Sequence, residues 1–206
     1  RVRRAIWGAL KNYQNDNDVS QFLQNIIEND EKYYSIADAF RALIAVDTLS
    51  ARKKVESLLD TDSHNDVIRK AAISYYGSII NDKNYKKLKE LVSYGGTTWD
   101  ARPEAVKQLG KYVKSKPKTI EIFEELLNDN SRDVRRNAIR MLNYYGNNNH
   151  LGILDEVLER DPILSRDIRL AKKNIQKPLN KRTKSNVEKE LDEANKKLDE
   201  IRKLID

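Results

Sequence analysis

Ala138 belongs to a column that the chain repeats at a fixed interval. Stepping back by 33 residues returns Ala105, Ala72, Ala39 and Ile6, and one step forward reaches Ala171. The adjacent column holds Trp7, Phe40, Ile73, Val106 and Ile139, and the one three further on holds Leu10, Leu43, Tyr76, Leu109, Leu142 and Ile175. Positions i, i+1 and i+4 form one apolar face of a helix. A small residue kept in register predicts a place where two helices approach closely, with larger side chains filling the space beside it.

Between these stretches run second apolar patterns: Phe22, Leu23, Ile26 and Ile27; Val55, Leu58 and Leu59; Leu88, Leu91 and Val92; Ile120, Phe123, Leu126 and Leu127; Ile153, Leu154, Val157 and Leu158. Each repeat is therefore expected to be a pair of helices. Stop signals separate them at Asn15 to Asp18, Tyr94 to Gly96 and Tyr145 to Asn149. Ser63 with Asp66, Thr97 with Asp100 and Asn130 with Asp133 each place a capping residue three before a carboxylate, the mark of a helix start. Pro103 belongs in a first turn, where its missing N–H costs nothing, so that helix is expected to begin near Asp100.

Paired helices at this period predict an all-α fold, a right-handed α-solenoid of HEAT-like helix pairs (an α-α superhelix) in which each unit buries its apolar face against its neighbours. The T-P-L-H start of ankyrin and the Trp, Gly, Tyr and Pro pattern of tetratricopeptide repeats are missing. The expected organisation is a solenoid over residues 1–178, with five pairs and a half repeat at Ile163 to Gln176, a linker at 179–185 and a charged amphipathic helix at 186–206. In that last segment Val187, Leu191, Ala194, Leu198, Ile201 and Ile205 alternate steps of four and three, a heptad seam. It has two readings, a cap on its own solenoid or self-association with a second chain.

The charged fraction of 34% against 39% hydrophobic suits an elongated fold with a high surface ratio. The chain has no cysteine, which removes disulfides, thiolate nucleophiles and zinc-thiolate sites and fits a reducing cytoplasm. No apolar run approaches the roughly 20 residues needed to cross a bilayer, and no secretion signal pattern opens the chain. The expectation is a cytoplasmic protein without a membrane partner.

A basic column accompanies the alanines. Arg3, Arg69, Arg102 and Arg135 recur three residues before them. One reading is structural, with stems packing on the next repeat and heads pairing carboxylates such as Asp66, Asp100 or Asp133. The other is an arginine ladder for phosphates or peptide carboxylates, which makes Arg69, Arg102, Arg135 and Arg136 the candidate peptide- or partner-contacting residues. A second basic stretch, Arg166, Arg169, Lys172, Lys173, Lys177, Lys181, Arg182 and Lys184, contains one acid, Asp167. It reads as a phosphate contact or as a basic C-terminal cap and linker, and the absence of interleaved aromatics does not favour nucleic acid.

No H-E-x-x-H, glycine-rich phosphate loop or G-x-S-x-G occurs. His64 and His150 fall in turns and are expected to be exposed, and the acids Glu121, Glu124, Glu125, Asp155, Glu156 and Glu159 are expected on solvated helix faces. The residues define no catalytic, cofactor-binding or metal site.

Three stretches, Asn65 to Asp82, Leu91 to Tyr112 and Asn128 to Gly146, followed by Asp155 to Ile175 and a charged terminal helix, resemble the C-terminal HEAT-like region of zinc aminopeptidases of the aminopeptidase N family. In that family an upstream domain carries the H-E-x-x-H zinc site and a G-x-M-E-N motif that recognises the substrate amine. The resemblance implies a fragment of a metallopeptidase, non-catalytic by itself, that shapes the substrate chamber and limits peptide access. Its partners would be the upstream catalytic domain of the same polypeptide and peptide substrates, with zinc in that upstream domain and none here. A start at Arg1, within a helix pattern, agrees with a fragment. The alternative is a free-standing HEAT-repeat scaffold for protein partners.

Overall fold

The computed structural model describes Ile6 and residues 9–177, and among these the regular structure is entirely helical. Ten α-helices follow in chain order: α1 Asn17–Asn29, α2 Tyr33–Val46, α3 Thr48–Leu59, α4 Val67–Ser78, α5 Asp82–Val92, α6 Arg102–Leu109, α7 Thr119–Leu126, α8 Arg132–Tyr145, α9 Leu151–Arg160 and α10 Ser165–Ile175. Arg3, Trp7, the linker 179–185 and the heptad segment 186–206 lie outside the described residues.

The chain divides into two compact units, Arg1–Ala138 and Ile139–Asp206, with the division inside α8 rather than at a linker. In the first unit α2 packs on α4 and α4 on α6, so the helices that carry the alanine column lie side by side. α1 lies against α2, α3 against both α2 and α4, and α5 against both α4 and α6. In the second unit α9 packs on α10.

Ala39, Ala72, Ala105, Ala138 and Ala171 are fully excluded from solvent, as are Phe40, Ile73, Val106 and Ile139 beside them. Ile6, first in the column, is half exposed, so the seam is buried from Ala39 onward. The second patterns supply the opposing core through Leu23, Ile27, Val55, Leu58, Leu59, Leu88, Leu91, Val92, Phe123, Leu126, Leu127, Leu154 and Val157. Phe22 departs from its pattern and faces solvent. The 100° advance per residue lets Leu23 and Ile27, four apart, share the buried stripe while Phe22 turns out of it.

Polar groups tie the repeats together as well. The Tyr112 hydroxyl donates to the carbonyl of Tyr76 at 2.7 Å and lies 3.0 Å from that of Ile79, so it closes the end of α4 from the following repeat. In the second unit Asn174 donates from Nδ2 to Asn143 Oδ1 at 2.7 Å.

The helix starts differ in detail from the capping pattern of the sequence. Ser63 Oγ accepts from the Ile68 amide at 3.1 Å, while Asn65 and Asp66 adopt left-handed backbone with φ of 53°. Asn and Asp tolerate this conformation better than other non-glycine residues. Ser131, not Asn130, caps α8, accepting from the Val134 amide at 3.4 Å. α6 begins at Arg102 after a turn in which the amides of Ala101 and Arg102 both donate to Thr98 O at 3.1 Å, and Pro103 sits in its first turn. In the loop after α5, Gly95 takes a φ of +77°, and a Cβ on Gly96 would collide with the Glu90 carbonyl, so the two glycines are required for different reasons.

Candidate functional site

The arginine column is positioned by the first turns of α4, α6 and α8. Arg69 and Arg102 each reach back ten residues to the last carbonyl of the preceding helix. Arg69 Nε donates to Leu59 O at 2.7 Å, and Arg102 Nε donates to Val92 O at 3.0 Å. Leu59 and Val92 end α3 and α5, where unsatisfied carbonyls and the negative end of the helix dipole favour a cation.

The remaining guanidinium donors meet carboxylates. Arg69 pairs with Asp66 and, at 2.9 Å, with Asp62. The Asp66 carboxylate also accepts from the Thr98 hydroxyl, which fixes its left-handed backbone from the next repeat. Arg102, only 2% exposed, pairs with both oxygens of Asp129 rather than with Asp100. Asp129 is a shared node: its Oδ1 also accepts from the Ser131 amide at 2.8 Å, and its carbonyl accepts from Arg135 NH1 at 2.6 Å.

Arg135 also donates to the Asn130 carbonyl at 3.1 Å. Arg136 is half-buried and pairs with Asp133 on its own helix. The four candidate arginines therefore do not converge on one point. Arg69 and Arg102 are buried links between a helix end and an acidic loop, Arg135 holds the loop before α8, and Arg136 lies on the surface.

Asp133, the partner of Arg136, lines a small cleft of about 300 Å³ together with Lys70, Asp100, Pro103, Glu104 and Asn137. Lys70 donates to the Asn65 carbonyl at 2.7 Å, and Glu104 takes a charge-assisted bond from Lys107 at 3.3 Å. Its charges are of both signs.

His64 is exposed, as expected, but His150 is 3% exposed and not a free turn residue. Its Nδ1 accepts from the Asn147 amide at 2.9 Å while Asn147 Oδ1 accepts from the Asn149 amide at 2.9 Å, a reciprocal cap that draws the ring into the turn before α9. No group of three or more His, Cys, Asp or Glu that could hold a metal ion occurs among the described residues. No helix among them is long and apolar enough to cross a membrane.

Asp129 and Asp62 escape a reading based on the 33-residue step because they stand in loops outside the repeated columns. The signal that could have found them is physical: an arginine buried at a helix start requires a carboxylate, and each of these loops supplies one nearby. No protein-family model, curated protein or solved structure matches the chain.

Proposed function

We propose that the chain is a right-handed solenoid of HEAT-like helix pairs that acts as the non-catalytic C-terminal domain of a cytoplasmic zinc aminopeptidase, shaping the substrate chamber and limiting peptide access. The observation that supports it best is the buried alanine seam: an alanine recurs at each step of 33 residues from Ala39 to Ala171, α2, α4 and α6 lie side by side along it, and Arg69 and Arg102 each tie a helix start to the end of the preceding helix. A chain stabilised by packing between neighbouring helix pairs presents a row of helix surfaces rather than one enclosed pocket. The peptidase setting rests on the sequence resemblance described above, which transfers no catalytic residue to any numbered position. In this reading surface cations such as Arg136 attract the carboxyl end of a peptide, while Arg69 and Arg102 hold the wall together.

Two measurements test the proposal. The gene region upstream of Arg1 should encode an H-E-x-x-H helix; a start codon immediately before Arg1 overturns the peptidase setting and leaves a free-standing scaffold for protein partners. In the full enzyme, removing the segment equivalent to residues 1–206 should change activity on long peptides far more than on a single-residue reporter. A fall by the same factor at every length would leave only a stabilising role.

A further inference from the structure

Two successive places between helices are built from the same repeat positions, yet one carries a surface ion pair beside packed rings and the other an open groove. In the later place Lys116 Nζ lies 2.6 Å from the Asp82 carboxylate and 5.1 Å from the centre of the Tyr85 ring. Tyr85 and Tyr112 pack with centroids 5.3 Å apart. The hydrogen bond and charge of Lys116 hold the Asp82 carboxyl below its ordinary range. Anion, cation and two rings complete one another.

One 33-residue step earlier the positions of Asp82, Tyr85, Tyr112 and Lys116 hold Leu49, Arg52, Ile79 and Lys83. All four line a single groove of about 490 Å³ between α3 and the α4–α5 junction, floored by Tyr75 and Tyr76. The cation is kept, a second cation replaces a ring, and both the carboxylate and the second ring are missing. Leu49, where the acid would stand, is 71% exposed.

Arg52 and Lys83 are exposed and have no ion-pair or hydrogen-bond partner among the described residues. The one acid in the lining, Glu56, is engaged: it accepts from the Tyr76 hydroxyl at 2.9 Å and pairs with Lys87 at 3.4 Å. Tyr75 is 5% exposed, meets the Tyr76 ring edge-on at 5.4 Å, and its hydroxyl has no hydrogen-bond partner among the described residues.

We propose that this groove binds a peptide segment of a partner that carries a carboxylate next to an aromatic ring, the two groups that the following repeat supplies for itself. The carboxylate lies between Lys83 and Arg52 as Asp82 lies against Lys116, and the ring covers Ile79 and Tyr75 as Tyr85 covers Tyr112. Charge-assisted bonds in a half-enclosed site and a cation beside a ring give such a ligand its specificity. The proposal goes beyond the peptidase reading and does not depend on it.

The test is a titration of the isotope-labelled chain with N-acetyl-aspartyl-tyrosine amide, followed by amide resonances. Shifts should concentrate in α3 and in residues 75–84. The asparaginyl-tyrosine and aspartyl-alanine analogues should bind more weakly, and Lys83→Ala or Arg52→Ala should lower affinity about tenfold, the value of one charge-assisted bond. Leu49→Asp combined with Arg52→Tyr should fill the groove and abolish binding. Equal affinity for the asparaginyl analogue, shifts centred elsewhere, or no shifts at millimolar ligand overturns the proposal, and because the analogue comparison uses the unaltered chain, a misfolded variant does not obscure it.

Discussion

Arg102 is the least exposed charged residue among those described, and Asp129 is what makes its burial tolerable. Asp129→Ala should cost about 3–5 kcal/mol in urea unfolding, because it leaves a guanidinium enclosed without its counter-charge. Arg102→Met should cost less than Asp129→Ala, since it removes the charge together with its need for a partner. Asp47 makes a different contribution. It caps α3 and accepts from Ser20 Oγ at 2.8 Å, and hydrogen bonds from the Ser50 side chain and backbone and from Ser20 lower its pKa from 3.8 to about 2. A depressed carboxyl stabilises the fold above its unfolded pKa and loses that effect as pH falls through the folded one. Stability should therefore decline between pH 4 and pH 2 in part through Asp47, and Asp47→Asn should show a shallower acid limb in pH-dependent thermal melts.

At the scale of elements, the approach of α4 to α6 depends on Gly77, where a Cβ would run into Gln108 Oε1 and, less severely, stand 2.8 Å from Gln108 Cβ and 3.0 Å from its Cδ, so that removing the amide relieves part of the crowding. Gly77→Ala should destabilise by about 1–3 kcal/mol through overpacking, and Gln108→Ala in the same chain should restore part of the loss, with coupling read from a double-mutant cycle. The helices themselves were legible because Ala72, Ile73 and Tyr76, and their counterparts 33 and 66 residues on, keep the i, i+1, i+4 spacing of one helix face. Pro103 likewise marked the first turn of its helix. The side-chain network was not legible. Whether Arg102 meets Asp100, two residues away, or Asp129, 27 residues away, depends on how the loop after α7 turns, and periodicity carries no information about loops. His150 was misread for a related reason: a turn composed of asparagines looks solvated until its own backbone amides recruit the imidazole.

For the whole molecule, the ties between helices are short in sequence even where they cross repeats. Tyr112 to Tyr76 spans 36 residues, Asn174 to Asn143 spans 31 and Arg102 to Asp129 spans 27. Contacts of this span carry a small loop-closure cost and favour fast folding. The same feature bears on biosynthesis. As the chain leaves the ribosome, each helix needs only the next stretch of about one repeat before its contacts are complete, so the protein can fold in the order in which it is made. Arrested nascent chains lengthened one repeat at a time should gain protease resistance in steps, whereas a single late rise would mean that folding waits for the finished polypeptide.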